Sequence, residues 1–528
     1  MKSVLIILDG FGLNPVIKGN PIMSTPLPFL DEILKNSPRI NLSASAESVG
    51  LSWGEVGNSE VGHSNIGTGQ IIWQDLPKIN QAIEKGTFFK NKVLNNAFEN
   101  CLENDSSLHL IGLLSDGGVH SDISHLFALL EIAQSKGLKK VYIHVITDGR
   151  DTAPKIAEKF IKELDEKMKK LNLGKISTLS GRFYAMDRDN HWERIEKVYK
   201  VLTGASERSA KDASAALKMG YDEGQSDENI EPTIISLGSQ EQFLSDNDSV
   251  IIFNFRADRA REITLAIGDK NFKHFKRKKT AKNIYFATMT PYETDWKIKI
   301  HTVFGLLHYE PPFSDIIGVK KLNQLHIAET EKYAHVTYFF NGGREKEINN
   351  EKYINIPSPR IDNYAQKPEM SLHQVTSELL GEIGKNEYEF IVVNFANTDM
   401  VGHTGDYKAA QKALAAVDEN LSYLVPKAQK SGYRIFLTAD HGNIEQMINL
   451  ETGEIDKEHT TNPVFFVLLS ENLTATNLSE KEHQNLWESI AAENPKGVLA
   501  DITPTLAESL GLGDVSYFSG QSMLSILK

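Results

Sequence analysis

Residues 3–10 read Ser-Val-Leu-Ile-Ile-Leu-Asp-Gly, a short aliphatic run that ends in a carboxylate and a glycine. Aliphatic runs without polar alternation are typical of strands that are buried on both faces, as in parallel sheets. Runs of the same form occur at residues 108–118, 141–151, 250–259, 390–403 and 433–443. Helical patterns lie between these runs, at residues 124–137, 153–171, 192–202 and 407–432. The alternation predicts an α/β protein with mainly parallel sheets flanked by helices.

Length and composition narrow the class of protein. A chain of 528 residues exceeds what one hydrophobic core usually serves, which predicts at least two domains. The net charge of −13 weighs against nucleic acid as the main partner, because phosphate backbones attract basic surfaces. The single cysteine, Cys101, excludes an intrachain disulfide and fits a reducing compartment. The apolar runs are too short for a signal peptide or a membrane span, so we expect a cytoplasmic protein without a membrane partner.

Carboxylates and imidazoles stand at or near the ends of several predicted strands. In parallel α/β sheets, ligands bind outside the carboxyl ends of the strands. Oxygen and imidazole ligands suit divalent ions such as Mn²⁺ or Zn²⁺, whereas softer ions prefer thiolates. A lone histidine is more often a hydrogen-bonded residue near the core, but the set as a whole predicts two divalent ions. The candidate ligands are Asp9, Asp399, His403, Asp440, His441 and His459.

Residues 57–67 read Gly-Asn-Ser-Glu-Val-Gly-His-Ser-Asn-Ile-Gly, without hydrophobic periodicity. Ser59 stands where a helix could begin, and a helix N-terminus favours an anion such as phosphate. Two interpretations are open at this point: Ser59 is the N-cap of a helix, or it is a nucleophile. A serine hydroxyl is a poor nucleophile unless something activates it, and metal coordination lowers its pKa. The neighbouring metal ligands therefore favour the second interpretation.

Arginines are concentrated in the middle of this acidic chain. A guanidinium group binds carboxylate and phosphate oxygens through two parallel hydrogen bonds, which lysine cannot do. With His120 and Asp151, the arginines predict a site for a small molecule that carries both phosphate and carboxylate. Asp151 would remain ionised among them and could act as a general base. The alternative is surface ion pairing with acids such as Asp187 and Asp258. The arginines are Arg150, Arg182, Arg188, Arg256 and Arg259. The basic run at 276–279 predicts only a solvated loop.

Taken together, these motifs resemble the cofactor-independent phosphoglycerate mutases, a metal-dependent family related to alkaline phosphatase. The resemblance extends nearly end to end, through LDGFG, GNSEVGHSNIG, GLLSDGGVHS, DGRDT, SGRFYAMDRD, FNFRADRARE, AETEKYAHVTYFFNGG, NTDMVGHTG and TADHGN. It implies interconversion of 2- and 3-phosphoglycerate in glycolysis and gluconeogenesis. It further implies a phosphoserine intermediate on Ser59, two metal ions, expected to be Mn²⁺, and no requirement for 2,3-bisphosphoglycerate.

The resemblance also assigns roles to individual residues. Lys332 would lie near the phosphoryl group and offset its charge, and Asp151 would take a proton from the attacking hydroxyl. One ion would be held by Asp399, His403 and His459, and the other by Asp9, Ser59, Asp440 and His441. Substrate would be bound by His120, Arg150, Asp151, Arg182, Arg188, Arg256, Arg259 and Lys332.

The resemblance implies a discontinuous architecture. A metal-binding, phosphatase-like domain would comprise 1–73 and 305–528, with a transferase domain, 74–304, inserted in it. Hinges are predicted near 70–78 and 289–302, and the stretch 295–315 fits the family pattern poorly. We expect a monomer. Two other functions remain open: a phosphatase or sugar-phosphate mutase on the same scaffold, and a catalytically silent binding protein. The silent protein would lack metal ligands or the nucleophile, and the motifs lack neither.

Overall fold

The computed structural model describes residues 1–236, 238–293, 296–305, 311–348, 350–513 and 518–527. Within these residues the strands are β1 (Lys2–Leu8), β2 (Arg39–Ser43), β3 (Leu108–Leu113), β4 (Val141–Thr147), β5 (Lys175–Gly181), β6 (Ser209–Ala210), β7 (Thr233–Ile235), β8 (Ser249–Ile252), β9 (Tyr285–Thr288), β10 (His301–Thr302), β11 (Gln324–Glu329), β12 (Glu351–Ile356), β13 (Phe390–Phe395), β14 (Tyr433–Thr438), β15 (Val464–Leu468) and β16 (Gly497–Val498).

The helices alternate with the strands along most of the chain. They are α1 (Pro28–Asn36), α2 (Ser59–Thr68), α3 (Asp75–Glu84), α4 (Lys92–Glu103), α5 (Ile123–Ser135), α6 (Ala157–Leu171), α7 (Arg182–Ala185), α8 (Trp192–Leu202), α9 (Ala213–Asp222), α10 (Arg261–Gly268), α11 (Phe313–Val319), α12 (Thr330–Ala334), α13 (Leu372–Lys385), α14 (Asn397–Gly402), α15 (Tyr407–Lys430), α16 (Glu480–Ala491) and α17 (Ile502–Leu510).

The chain folds into two compact units. The first unit comprises Met1–Gln74 with His308–Lys528, and the second comprises Asp75–Leu307. The predicted hinge at 289–302 and the poorly matching stretch 295–315 include residues 294, 295 and 306–310, which lie outside the described part of the chain. Among the described residues, no helix is both long enough and apolar enough to cross a membrane.

The sheet of the first unit has the strand order β12-β11-β13-β1-β14-β15-β2-β16. Four adjacent strands, β11, β13, β1 and β14, run parallel to one another. Only β15 is antiparallel to its neighbours, β14 and β2. Strand β1 lies in the middle of the sheet, and residues Val4 to Leu8 are fully buried. Complete burial of a Leu or Ile side chain stabilises the fold by about 1.5–3 kcal/mol.

The second unit has its own eight-stranded sheet, in the order β10-β9-β8-β3-β4-β5-β7-β6. All neighbouring pairs are parallel except β5 and β7. Both sheets are therefore mainly parallel and flanked by helices, which confirms the predicted fold class. Each of the six aliphatic runs contains a strand.

The helix predicted from residue 153 begins only at Ala157. Proline disfavours the helical conformation of the residue before it, and Pro154 follows Ala153 directly. A second proline has the opposite outcome, because α15 continues through Pro426 to Lys430. Tertiary packing thus overrides the local preference at one proline and not at the other.

Candidate active site

Parallel strand ends bring the predicted metal ligands together in the first unit. Asp9 directly follows β1, Asp440 follows β14, and Asp399 lies in α14 just after β13. Lys332 lies in α12, immediately after β11. Because these four strands are adjacent and parallel, their carboxyl ends meet at one edge of the sheet. The aspartates at 9, 399 and 440 and Lys332 are all almost completely buried there.

Ser59 is the first residue of α2, but it is not the cap of that helix. The N-cap is Asn58, whose side-chain oxygen accepts a hydrogen bond of 3.0 Å from the Val61 amide. The N-cap interpretation of Ser59 is therefore wrong. Because Asn58 caps the helix, the Ser59 hydroxyl is available for other contacts. Its Oγ donates to Asp9 Oδ1 at 3.1 Å and lies 2.9 Å from His441 Nε2.

Helix α2 passes unusually close to the strand-end loop that carries Asp440. A Cβ atom added at Gly62 would lie 2.6 Å from the Asp440 carbonyl oxygen and 2.9 Å from the Asp440 Cβ. Such distances are too short for real Cβ atoms, so only glycine permits this approach. Gly62 thereby brings Ser59 within reach of the carboxylates.

We expect Gly62→Ala to destabilise the protein, although alanine is the better helix former. Overpacking against a rigid backbone costs about 1–3 kcal/mol. The matched control is Gly381→Ala in the interior of α13, where an added Cβ meets no atom within 4 Å among the described residues. There the same change should stabilise by about 0.5–1 kcal/mol. Urea unfolding of both variants measures the change in the free energy of unfolding, which should have opposite signs. An equal change in both would contradict the close approach of α2 to Asp440.

Lys332 is the single ammonium among three buried carboxylates in the part of the chain that the structure describes. Its Nζ lies 2.6 Å from each of Asp9 Oδ1, Asp399 Oδ2 and Ser59 Oγ. Burial opposes ionisation of Asp399, but Lys332, His403 and His459 together hold the pKa of this carboxyl well below its usual range. Burial also works against the Lys332 charge, but Asp399 and Asp9 raise the pKa of this ammonium. Lys332 and Asp399 are therefore both charged at neutral pH.

The three histidines share one pattern of hydrogen bonding. In each of them the Nδ1 atom lies within 3.3 Å of a backbone carbonyl oxygen. The pairs are His403 with Lys457, His441 with Gly442, and His459 with Gly57. A histidine that donates from Nδ1 presents the lone pair of Nε2, which is how metal-ligating imidazoles are usually oriented. The Nε2 atoms of His403 and His459 lie 3.2 and 3.1 Å from Asp399 Oδ1 and 3.0 Å from each other. The two rings therefore converge on one point.

The buried donor atoms fit a pair of divalent ions. Ligand atoms of Asp9, Asp440 and His441 lie within 4.8 Å of one another, and so do those of Asp399, His441 and His459. Asp440 Oδ2 is buried and accepts no hydrogen bond from the described residues. The nearby His63 Nδ1, at 3.1 Å, instead bonds the Ser59 carbonyl oxygen. A buried carboxylate oxygen without a donor, in a cluster of oxygen and imidazole ligands, suits a hard or borderline cation.

The grouping of the ligands differs in one respect from the predicted division. His441 belongs to both groups of closely spaced ligand atoms, and His403 belongs to neither. The side chain of His403 is also 41% exposed, unlike its neighbours. The contacts of His403 with Asp399 and His459 nevertheless place it in the same cluster. The ligand set for each ion therefore stays a prediction.

The second unit gathers the predicted substrate-binding residues in the same way. Strands β8, β3, β4 and β5 are adjacent and parallel. Arg182 directly follows β5 and is buried. Its Nη1 atom lies 2.5 Å from Asp151 Oδ2. The segments after these strands carry His120 (β3), Arg150 and Asp151 (β4), Arg182 (β5, as the first residue of α7), and Arg256 and Arg259 (β8). Arg188 follows α7.

Part of this cluster is held by ion pairs, as the alternative interpretation predicted. Arg188 and Arg256 both contact Asp258, at 3.2 Å each. The pairs do not neutralise the cluster, however. Burial lowers the pKa of the Arg259 guanidinium, and Arg188, Arg150 and Arg182 lower it further by repulsion. Arg259 forms no ion pair among the described residues, so the cluster keeps an unpaired guanidinium that suits an anionic ligand.

His120 is buried among these charged groups and is neutral near pH 7. Burial lowers its pKa to about 4, and Arg182 adds to the shift. Its Nε2 lies 3.9 Å from Asp151 Oδ2, and its Nδ1 is buried without a hydrogen-bond partner among the described residues. An orphaned polar atom in a cationic cluster is available to a ligand.

Comparisons with known proteins identify the family. A family model described as the N-terminus of BPG-independent PGAM matches residues 79–294, and one described as type I phosphodiesterase / nucleotide pyrophosphatase matches residues 319–491. A Clostridium acetobutylicum protein named 2,3-bisphosphoglycerate-independent phosphoglycerate mutase is 46% identical, covering 98% of this chain and 98% of its own length. The chain belongs to the 2,3-bisphosphoglycerate-independent phosphoglycerate mutase family.

Two further members of this family support the assignment. The Clostridium kluyveri protein of the same name is 44% identical and covers 99% of each chain. The crystal structure of Leishmania mexicana phosphoglycerate mutase at low cobalt concentration is 27% identical, covers 98% of this chain and 97% of its own, and superposes with a TM-score of 0.54. Membership of the mutase family confirms the resemblance inferred from the motifs.

Sequence reasoning missed several residues that hold the mutase site together. Asn394 donates from Nδ2 to Asp9 Oδ2 at 2.6 Å, and Asn443 donates from Nδ2 to Asp399 Oδ1 at 3.1 Å. In the second unit, Asp148 accepts from Arg182 Nη1 at 2.6 Å and from the Asp151 amide at 3.0 Å. All three lie inside or next to the quoted motifs, but their residue types did not distinguish them from ordinary turn residues.

Glu329, another missed residue, precedes Lys332 in the mutase motif and is buried at the end of β11. Burial raises its pKa from 4.5 to about 7, although Ser358 donates to its Oε2 at 2.8 Å. The folded protein therefore keeps a proton that the unfolded chain loses near pH 4.5. Stability falls as pH rises through this window, by up to roughly 3 kcal/mol.

We expect Glu329→Gln to remove this pH dependence. The variant should match the parent protein below about pH 4.5 and be more stable than it above pH 7. The control is Glu378→Gln, at an exposed position on α13, which should leave the profile unchanged. Urea unfolding of metal-free protein across this range measures the effect, because metal binding is itself pH-dependent. Parallel profiles for Glu329→Gln and the parent protein would contradict the prediction.

Proposed function

We propose that this protein interconverts 2-phosphoglycerate and 3-phosphoglycerate through a phosphoserine on Ser59, with two divalent metal ions, expected to be Mn²⁺. The observation that supports this most directly is the setting of the Ser59 hydroxyl. It contacts Asp9, His441 and Lys332 within 3.1 Å, at the start of a helix and beside buried carboxylates. A turn serine would need none of these neighbours.

The Ser59 cluster supports phosphoryl transfer. Lys332 Nζ donates to Ser59 Oγ at 2.6 Å, which favours the oxyanion form of the hydroxyl. The N-terminal amides of α2 favour the incoming phosphate. Ser59 Oγ forms a bond to phosphorus while the bond from phosphorus to the substrate oxygen breaks, and Lys332 offsets the charge on the transferring group.

The candidate ligands for the two ions are Asp9, Ser59, Asp440 and His441 for one, and Asp399, His403 and His459 for the other. When bound, such ions lower the pKa of a coordinated hydroxyl and neutralise phosphoryl oxygens. Asn394 and Asn443 orient the carboxylates of Asp9 and Asp399 through the contacts described above. The arrangement leaves the three imidazole Nε2 atoms as acceptors, because each Nδ1 is committed to the backbone.

The arginine cluster explains why the product would be an isomer rather than free phosphate. A mutase must retain glycerate after the first transfer, so that the other hydroxyl can attack the phosphoserine. Arg150, Arg182, Arg188, Arg256 and Arg259 supply paired donors for the carboxylate and phosphate of the substrate, together with His120. In the first step Ser59 gives up a proton and the departing substrate oxygen takes one up. In the second step Asp151 takes the proton of the attacking hydroxyl and the departing Ser59 oxygen takes one up, so the net composition is unchanged.

Further parts of the proposal follow from the same family. Residues 1–73 and 305–528 would act as the metal-binding, phosphatase-like domain and residues 74–304 as the transferase domain. The substrate is a small molecule. We propose a cytoplasmic monomer that does not need 2,3-bisphosphoglycerate.

The test is to incubate the protein with 3-phosphoglycerate in the absence of 2,3-bisphosphoglycerate and to follow the products by phosphorus NMR. We expect 2-phosphoglycerate to form at least about 100-fold faster than inorganic phosphate, because glycerate is retained. A chelator should abolish the reaction and Mn²⁺ should restore it. Inorganic phosphate as the main product would indicate a phosphatase, and dependence on 2,3-bisphosphoglycerate would contradict the proposed mechanism.

A further inference from the structure

The mutase site leaves one feature of the second unit unexplained, a stretch that we call the lysine segment (residues 270–282). It contains seven basic residues and no acidic residue, in a chain whose net charge is −13. Arg277 is one of the seven, and the others are Lys270, Lys273, Lys276, Lys278, Lys279 and Lys282. The segment follows α10 and precedes β9, and it contains no helix or strand.

The six lysines are exposed, and none of them forms an ion pair with a carboxylate in the part of the chain that the structure describes. Some surface lysines elsewhere in the same unit do pair, for example Lys159 with Asp116 and Lys197 with Glu231, whereas the six of the segment lie together without a partner among the described residues. Unpaired ammonium groups close together repel one another. Binding of a polyanion to such a cluster is favourable, since the lysines neutralise its phosphates and release its counterions.

The backbone of the lysine segment is held in place by its other side chains. Arg277 donates to the carbonyl oxygens of Ala266 and Asp269, at 3.0 and 2.6 Å, and its guanidinium lies over the Phe272 ring. The Phe272 and Phe275 rings pack edge to face, with centroids 4.7 Å apart. The run 276–279 is therefore the solvated loop that the sequence predicts, and the segment that contains it is anchored by Arg277 and Phe272.

The aromatic side chains of the lysine segment point in two directions. Phe272 and Phe275 pack against the core of the second unit and are not free to insert into a partner. His274 is exposed and stacks on Trp192, with ring centroids 3.8 Å apart and planes 16° apart. His274 is the exposed ring of this pair, since Trp192 is half-buried against the core. An exposed ring next to cations offers a base of a single-stranded nucleic acid a surface to stack on.

We infer that the lysine segment is a secondary binding surface for single-stranded nucleic acid, through its phosphate backbone and without sequence preference. Lysine binds phosphate oxygens as a point charge and lacks the planar fork of arginine, so the contacts would follow backbone charge rather than base sequence. Acidic groups that lie farther from a narrow strand than a Debye length, about 8 Å in physiological salt, repel it little. A flat anionic bilayer would meet more of the surface of this protein, whose net charge is −13.

The inference goes beyond the proposed mutase function and does not depend on it. It also agrees with the overall charge, which weighs against nucleic acid only as the main partner. Binding should be weak and strongly dependent on salt. For four to five engaged lysines, the affinity for a single strand should fall by about 50- to 130-fold between roughly 50 and 200 mM salt.

The test measures fluorescence anisotropy of a labelled oligouridylate of about twenty nucleotides, long enough to span the segment. The variant is the triple change Lys276→Glu, Lys278→Glu and Lys279→Glu. Its matched control is Lys169→Glu, Lys170→Glu and Lys175→Glu, at exposed lysines of the same unit that form no ion pair among the described residues. Both variants change the net charge equally. We expect at least a tenfold loss of affinity in the first and less than a twofold loss in the control.

Further measurements distinguish binding at the lysine segment from the alternatives. Saturating 3-phosphoglycerate should leave oligouridylate binding unchanged, because the arginine cluster is not the binding surface. His274→Ala should weaken binding about fivefold, since stacking on the exposed ring is lost. Mutase activity should be unchanged in all variants. Equal weakening in both triple variants, competition by 3-phosphoglycerate, or binding to phosphatidylserine vesicles without binding to oligouridylate would overturn the inference.

Discussion

Replacing Ser59 with alanine is expected to abolish mutase activity, with a loss of about 10⁴-fold or more in kcat, because the phosphoryl acceptor is removed. Ser59 is almost completely buried, with 6% relative exposure, which suits a nucleophile that must be kept from bulk water. The fold should survive, since Asn58 and not Ser59 caps the helix. The measurement is the phosphorus NMR assay together with incorporation of phosphate into the protein.

The control for this prediction is Ser64→Ala, which lies in the same helix and the same motif. Ser64 is not among the contacts of the carboxylate cluster, and its backbone carbonyl, which accepts from Thr68, is retained in the variant. We expect near-normal activity from Ser64→Ala. Mutase activity retained in Ser59→Ala would contradict the phosphoserine mechanism, whatever its effect on stability.

Lys332→Met is expected to have the second-largest effect, on both catalysis and stability. The change keeps an unbranched side chain as far as the ε position but removes the ammonium that contacts Asp9 and Asp399. Leaving buried carboxylates without their partner should cost about 3–5 kcal/mol in metal-free protein. Loss of charge stabilisation on the transferring group should lower kcat by about 10²- to 10³-fold.

Urea unfolding of the metal-free protein and steady-state kinetics of the metal-loaded protein measure the two effects separately. The control is Lys352→Met on β12, where the lysine contacts Glu382 and is 46% exposed. Partly exposed ion pairs contribute little, so this variant should lose less than about 1 kcal/mol and keep its kcat. Normal kcat in Lys332→Met would show that this ammonium does not act on the transferring group.

Much of the candidate site could be predicted because its residues follow buried strands. The aliphatic runs ending at Asp9, Asp399 and Asp440 identify strands of a parallel sheet, and parallel strands place their carboxyl ends together. The types of these residues then indicate oxygen and imidazole chemistry. The assignment of individual roles to them, and to the arginines, stays a prediction.

The N-cap of α2 could not be predicted with the same success. Asn58 and Ser59 are adjacent, and both residue types are favoured at an N-cap. The choice depends on where the Ser59 hydroxyl finds better partners, and those partners, Asp9 and His441, are distant in sequence. Local preference alone cannot rank two capping residues when one of them has a tertiary contact.

By itself, the sequence determined the fold class, the family and the set of side chains available for chemistry, since these depend on local patterns and long motifs. Only the tertiary structure decided which atoms meet: Lys332 with Asp399, Asn394 with Asp9, and Asp148 with Arg182. It also showed the lysine segment to be anchored and unpaired among the described residues. The physical reason is that hydrogen bonds and charge pairs act over a few ångströms, and strand order and close backbone approach set those distances.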